Sequence, residues 1–439
     1  MAAICLGFFM ILLDGSALNI ALPAIQADTG GTMAALQWLV NIYTIPLASL
    51  LLTAGVLSDR FGARRVFLWS LLGFTVASFV CAVSPNLVVL LGARCVQGIF
   101  AAGVLPTTLA IISKTYPDVA ERGKAIALWG ATGGLAMVVG PIGGGLLTEL
   151  WGWRSIFFIN VPVGAIAVWL TVRHVQETNR QSGEKFDIVG QILAFAGLVL
   201  LVGGLIESGE RGWSSPVTLG MLAAAVVLLA AFVFTESRVA NPSLPLGIFR
   251  THAYTAAVII GFAFQFGGYG LQFMYAIFVQ DEWGYDAAGA GLFFVPFAVM
   301  WTFGTLVLNQ LWSGRGMRWL LVTGSLIACA GAVLCMFASD RSTWPVLLGG
   351  MALVGLGCGL FAPSCAGAAM AAAPKEFAGL ASGVLNTSRQ VGMAIGVSLL
   401  GVCLVLGNPV TGARIGVLLT LVGFALIAAL SVRFVPRPS

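Results

Sequence analysis

Asp14 stands in the middle of an apolar run from about Ala2 to Ile25, within the stretch Leu12-Leu13-Asp14-Gly15-Ser16-Ala17-Leu18-Asn19-Ile20-Ala21-Leu22-Pro23. Placing an acid at the centre of such a run costs on the order of 2.5–3.5 kcal/mol on insertion scales. The cost calls for a cationic partner, a water-filled cavity or a bound proton. Every other Asp and Glu falls in a polar loop or at the edge of an apolar run. If one buried carboxylate carries protons, Asp14 is the candidate. Two bases also lie inside apolar runs, Arg94 and Arg389. Neutral polar side chains recur at helical spacing: Gln265, Tyr269 and Gln272 at i, i+4, i+7; Trp38 and Asn41 at i, i+3; Asn386, Arg389 and Gln390 at i, i+3, i+4. Residues so spaced share one helix face and can offer donors and acceptors to a small molecule or to a neighbouring helix.

The elements that hold these residues follow from composition. The chain has 439 residues, 59% hydrophobic and 9% charged, with a mean hydropathy of +0.98. That balance describes a polytopic membrane protein. The net charge of +5 comes from bases set singly in short loops, which excludes a nucleic-acid partner. The eight cysteines lie in apolar spans without a CxxC pair, so they read as small apolar residues. His174 and His252 fall at span ends, and neither a metal nor a cofactor is expected. The first run lacks a basic n-region and reads as a span, not a cleaved signal.

A spanning helix needs about 20 apolar residues. On that measure fourteen spans are expected, at about 2–25, 36–57, 66–84, 86–112, 124–149, 154–173, 187–206, 216–235, 252–279, 288–309, 319–338, 343–371, 379–406 and 412–432. With both termini in the cytoplasm, the inner loops take sixteen bases, among them Arg60, Arg64, Arg65, Arg180, Lys185, Lys375 and Arg437. The outer loops take four: Arg154, Arg211, Arg341 and Arg414. This asymmetry sets the orientation. Arg94 is then about eight residues, or about 12 Å, from the outer end of its span, and Asp14 about twelve residues, or about 18 Å, from the inner end of its own. In a core about 30 Å thick the two side chains come out level.

Four motifs follow the spans. After the second comes Gly55-Val-Leu-Ser-Asp59-Arg60-Phe-Gly62-Ala-Arg64-Arg65. Here Gly55 is expected to let helices approach and Gly62 to permit a turn. Arg60, Arg64 and Arg65 would also face anionic lipid. The fourth span carries Arg94-Cys-Val-Gln97-Gly98, and the fifth runs from Gly130 to Gly145 with Gly140-Pro141-Ile-Gly143-Gly144 at its centre. Glycines at that spacing make a groove for a close helix crossing, and Pro141 bends the helix. The thirteenth span reads Gly379-Leu-Ala-Ser-Gly383-Val-Leu-Asn386-Thr-Ser-Arg389-Gln390-Val-Gly392. The loop Asn309–Arg318 repeats the glycine and arginine of the Gly55–Arg65 loop without its aspartate, a faint internal repeat.

Together with Leu13–Pro23, these segments resemble the major facilitator superfamily, and within it the fourteen-helix drug:proton antiporters. The resemblance implies an all-α fold of two six-helix bundles, 1–173 and 252–439, with an inserted helix pair and its flanking loops at 174–251. It implies alternating access in the cell membrane, proton coupling through Asp14 and Arg94, and export of amphipathic drugs or antibiotics by a monomer. Gly55, Asp59, Arg60, Gly62, Arg64, Arg65, Gly140, Pro141, Gly144 and Arg389 would serve gating, with Asp59 latching near Gly379. Trp38, Asn41, Gln97, Gln265, Tyr269, Gln272 and Asn386 are the candidate cargo contacts. Later spans hold no further acid, so polycationic cargo is not expected. An importer or symporter on the same fold is the alternative, and the Gly130–Gly145 segment argues against it. A receptor or enzyme would need a sensor domain or catalytic cluster, and a channel would need rings of like polar residues. The sequence shows neither.

Overall fold

The computed structural model describes residues 1–116, 118–177, 187–239, 242–374 and 378–435. Arg180, Lys185, Lys375 and Arg437, used above for orientation, lie outside the described residues, as do the side chains of Asp59 and Gly379. Fourteen helical spans are long and apolar enough to cross a membrane. In a bilayer every backbone N–H and C=O must be satisfied within the segment, so apolar runs of this length form helices.

In chain order the helices are α1 (Ala2–Thr29), α2 (Met33–Phe61), α3 (Ala63–Ala82), α4 (Leu87–Thr115), α5 (Val119–Trp151), α6 (Ser155–Phe158), α7 (Asn160–His174), α8 (Ile188–Arg211), α9 (Pro216–Glu236), α10 (His252–Asp281), α11 (Ala287–Phe293), α12 (Val295–Phe303), α13 (Asn309–Leu311), α14 (Met317–Cys335), α15 (Trp344–Ala372), α16 (Ala378–Leu404) and α17 (Pro409–Phe434). Two spans are interrupted where unbroken helices were expected. The sixth is divided at Ile159 between α6 and α7 and the tenth at Phe294 between α11 and α12, both residues keeping right-handed helical dihedrals, and the tenth then passes through a π-helical turn at Gly304–Leu308.

The chain forms two compact units, residues 1–196 with 228–243, and residues 197–227 with 244–439. In the first, α1 packs on α5 and α7, α2 on α4, and α3 on α4 and α7. In the second, α10 packs on α16 and α17, α12 on α15, and α14 on α15 and α17. The two patterns correspond helix for helix, so the repeat that is faint in sequence is explicit in packing. Glycines mark the same crossings in both units. A Cβ on Gly98 of α4 would strike the Tyr43 carbonyl oxygen of α2; one on Gly355 of α15 would strike the Phe297 carbonyl oxygen of α12. The helices after the two related loops each start at a glycine with positive φ, Gly62 at 94° and Gly316 at 82°.

Burial and hydropathy run opposite to each other. The α10 window is 83% buried at a mean hydropathy of 1.3, whereas α9 is 11% buried at 2.6. A helix bathed in lipid must be apolar all round; one enclosed by other helices can carry polar groups that find partners. Pro363 within α15 supplies no N–H to the Gly359 carbonyl, which accepts instead from Thr305 Oγ1 at 3.0 Å. The bend is thereby satisfied by a side chain.

Candidate functional site

The site lies in the first unit, where α1, α3, α4 and α7 converge. Asp14 is 2% exposed and Arg94 1%. The depth estimate puts the two side chains level, and they meet: Arg94 Nη1 donates to Asp14 Oδ2 at 2.5 Å. Oδ1 of the same carboxylate accepts from Gln97 Nε2 at 3.0 Å and from Asn160 Nδ2 at 2.8 Å. All three partners are donors, the set that suits a carboxylate.

A second layer fixes these donors. Gln97 Oε1 accepts from Arg94 Nη1 at 2.6 Å, and its Nε2 also donates to Ser78 Oγ at 2.8 Å. Ser78 Oγ in turn donates to the Phe74 carbonyl at 2.7 Å. Arg94 Nε donates to the Leu39 carbonyl at 3.3 Å, and its guanidinium carbon lies 4.3 Å from the Tyr43 ring centroid. That contact adds a cation–π attraction, and cation–π attractions are stronger where water is excluded. The Cys81 thiol donates weakly to Gln97 Oε1 at 4.0 Å. Sequence reasoning paired Asp14 with Arg94 and singled out Gln97 as a cargo contact; it missed Asn160, Ser78 and Tyr43. Asn160 lies inside the expected sixth span, where a lone asparagine gives no sign of which helix it faces.

The glycines of α5 set the position of α1 beside the acid. A Cβ on Gly144 would fall 2.8 Å from Ala17 Cα, and one on Gly140 would strike Ser16. Pro141 is buried between them. Gly144→Ala is therefore expected to destabilise the protein by about 1–3 kcal/mol through overpacking. Gly143→Ala, whose Cβ meets only Val139 at 3.7 Å, should be near neutral. Thermal unfolding of the two purified variants in detergent checks this; equal midpoints would refute it.

The loop bases find local partners. Arg64 Nη2 donates to the Val172 carbonyl at 3.0 Å in the last turn of α7, and Arg65 Nε lies 3.4 Å from Glu177. Arg60 is exposed, with its guanidinium 5.5 Å from the Phe61 ring. Gly62 turns the chain as expected, but a Cβ on Gly55 would meet no described atom within 4 Å. Among the described residues, none makes the close approach expected at Gly55. Trp38 is half-buried and Asn41 fully buried.

In the second unit Arg389 is half-buried, with Nη2 donating to the Ala362 carbonyl at 2.8 Å and its guanidinium 5.5 Å from the Phe264 ring. It thus braces α15 at the Pro363 bend. Tyr269 and Gln272 are buried, and Gln265 and Asn386 half-buried. A cavity of about 470 Å³ between α3 and α4 is apolar, lined by Trp69, Val76, Val96 and Phe100 among others. It includes none of the site residues.

The profile described as Major Facilitator Superfamily matches residues 4–397 and again 257–439. The chain belongs to that superfamily. It is 36% identical over 396 residues to the multidrug resistance protein Stp of Mycobacterium tuberculosis (strain CDC 1551 / Oshkosh), covering 90% of this chain and 74% of that protein. It is 33% identical over 404 residues to the methylenomycin A resistance protein of Streptomyces coelicolor, covering 92% and 84%. It is 34% identical over 408 residues to the tetracenomycin C resistance and export protein of Streptomyces glaucescens, covering 91% and 74%. Among solved structures, a POT family transporter in complex with 5-aminolevulinic acid superposes with a TM-score of 0.72 at 15% identity, over 98% of this chain and 96% of that one. The human organic anion transporter MFSD10 gives 0.67 at 16%, over 97% and 98%. The fold is that of the major facilitators.

Proposed function

We propose that this protein exports drugs or antibiotics from the cytoplasm in exchange for protons, and that Asp14 is the proton carrier. The observation that carries the proton reading is the buried carboxyl of Asp14 met by donors from Arg94, Gln97 and Asn160. The exporter reading is supported by relatives named for antibiotic resistance and export.

A proton arriving at Asp14 neutralises the carboxylate and frees Arg94 from its ion pair. Loss of the proton restores it. Coupling requires that proton and cargo favour different conformations or compete for one site. On this reading the protein sits as a monomer in the cell membrane, with both termini cytoplasmic, basic loops against anionic lipid, bundles at 1–173 and 252–439, and the pair at 174–251 inserted between them. Asp59 and its loop serve the cytoplasmic gate with Gly140, Pro141, Gly144 and Arg389. Trp38, Asn41, Gln265, Tyr269, Gln272 and Asn386 contact cargo, and Gln97 links cargo to the proton site.

A panel of structurally diverse antibiotics and dyes, given to cells with and without the protein, is expected to show resistance and lowered accumulation for a subset. That export should collapse when the pH gradient is abolished. Equal accumulation of every compound in both cells would overturn the exporter reading. Export that survives loss of the gradient would overturn proton coupling alone.

A further inference from the structure

Asn160 is 1% exposed and its two amide atoms have unequal fates. Nδ2 donates to Asp14 Oδ1 at 2.8 Å. Oδ1 is buried with no hydrogen-bond partner. A buried acceptor without a donor is costly, so its retention here needs a reason. The other partners of Asp14 differ. Arg94 can only donate. Gln97 already accepts from Arg94 and donates to Asp14 and Ser78, so both ends of its amide are engaged.

A protonated Asp14 has an O–H that must find an acceptor. We propose that Asn160 reads the proton on Asp14: when the acid is protonated, the Asn160 amide turns over and its Oδ1 accepts the Asp14 hydroxyl. Turning the amide while Asp14 is charged would set oxygen against oxygen. Once a proton from water has formed the Asp14 O–H bond, the same turn makes a hydrogen bond. The Nδ2–H bond to Oδ1 breaks in exchange, and the Arg94 ion pair is released. Asn160 stands directly after Ile159, between α6 and α7, so turning its amide carries the protonation state of α1 into the sixth span. The inference rests on Asp14 being the proton carrier.

Few other charges complicate the reading. Around Asp14, α4 presents Arg94, α3 presents Cys81 against Gln97, and α2 presents Tyr43 against Arg94. Against α1, α6 brings Phe157, 5.8 Å from Arg94. The charged groups of α5 and α7, namely Glu121, Arg122, Lys124 and Glu149, and Arg173 and His174, sit towards the helix ends.

Infrared difference spectra between acid and alkaline pH test this on the purified full chain, with Asp14→Asn marking the Asp14 carboxyl band. In the unsubstituted protein that band should titrate together with a side-chain amide band. Asn160→Leu should keep the carboxyl band and lose the amide change. Its midpoint, and the pH profile of transport, should move, because the bond Asn160 gives the carboxylate and the bond it gives the protonated acid are both lost and differ in strength. Asn160→Asp, closer in shape, sets two carboxyls side by side to share one proton and should move the midpoint further. Persistence of the amide change in Asn160→Leu would overturn the proposal, as would unchanged midpoints in both variants. A spectrum of the unsubstituted protein without any Asp14-dependent band would overturn the proton reading itself, and this inference with it.

Discussion

Asp14→Asn is expected to abolish export driven by a pH gradient while the protein still inserts and folds. Asparagine keeps the shape of the side chain and removes its charge and its capacity to carry a proton. Arg94 loses its counter-ion, and breaking a buried pair from one side costs on the order of 3–5 kcal/mol. The loss is softened because Arg94 keeps the Gln97 and Leu39 oxygens and the Tyr43 ring. The variant should therefore melt earlier than the unsubstituted protein yet remain monodisperse. Reconstituted into liposomes, it should show no cargo movement on imposition of a pH gradient. Exchange of labelled for unlabelled cargo across the same membrane should persist. Gradient-driven efflux at the unsubstituted rate would remove Asp14 from the mechanism.

Arg94→Ala is expected to fail for the opposite reason. The carboxylate would keep two neutral donors, Gln97 and Asn160, with no cation in contact. A carboxyl so enclosed avoids the cost of its charge by keeping its proton. Proton release then becomes the blocked step. Coupled transport should fall at least about tenfold, the equivalent of about 1.4 kcal/mol. Arg94→Lys should retain part of it. An ammonium can reach one oxygen of Asp14, but it lacks the planar fork with which Arg94 serves Asp14, Gln97 and the Leu39 carbonyl together. Proton and cargo fluxes measured in the same liposomes separate the variants. Fully coupled transport by Arg94→Ala would refute the pairing as a functional element.

Hydropathy alone was enough to find the fourteen spans, because membrane length and apolar composition are one-dimensional properties. Asp14 and Arg94 come out level for the same reason: rise per residue converts position in sequence to height. What lies around a helix at that height is not so simply encoded. Asn160 comes from another span, and hydropathy does not say which neighbour a residue of that span faces. Ser78 satisfies itself on the Phe74 carbonyl, so nothing in its sequence setting announces that it also holds Gln97. The repeat between units was hidden by abundance. With 56 glycines in the chain, the few at close crossings, such as Gly98 and Gly355, do not stand out until the facing carbonyls are seen. The same limit explains Gly55, whose motif position suggested a close approach that the described residues do not make.

The pairing of Asp14 with Arg94 also determines how the membrane voltage enters. While the acid is ionised the pair is neutral, and with a proton bound it carries one positive charge. Moving one charge through the field is worth about 2.3 kcal/mol per 100 mV. If one proton enters for each neutral molecule expelled, every cycle carries a positive charge inward, and an inside-negative potential of 100 mV adds roughly fiftyfold to the attainable cargo gradient. If the cargo itself bears one positive charge, the two movements cancel electrically and only the pH difference drives export. Cargo charge, independently of cargo shape, then decides which part of the proton-motive force the exporter can draw on.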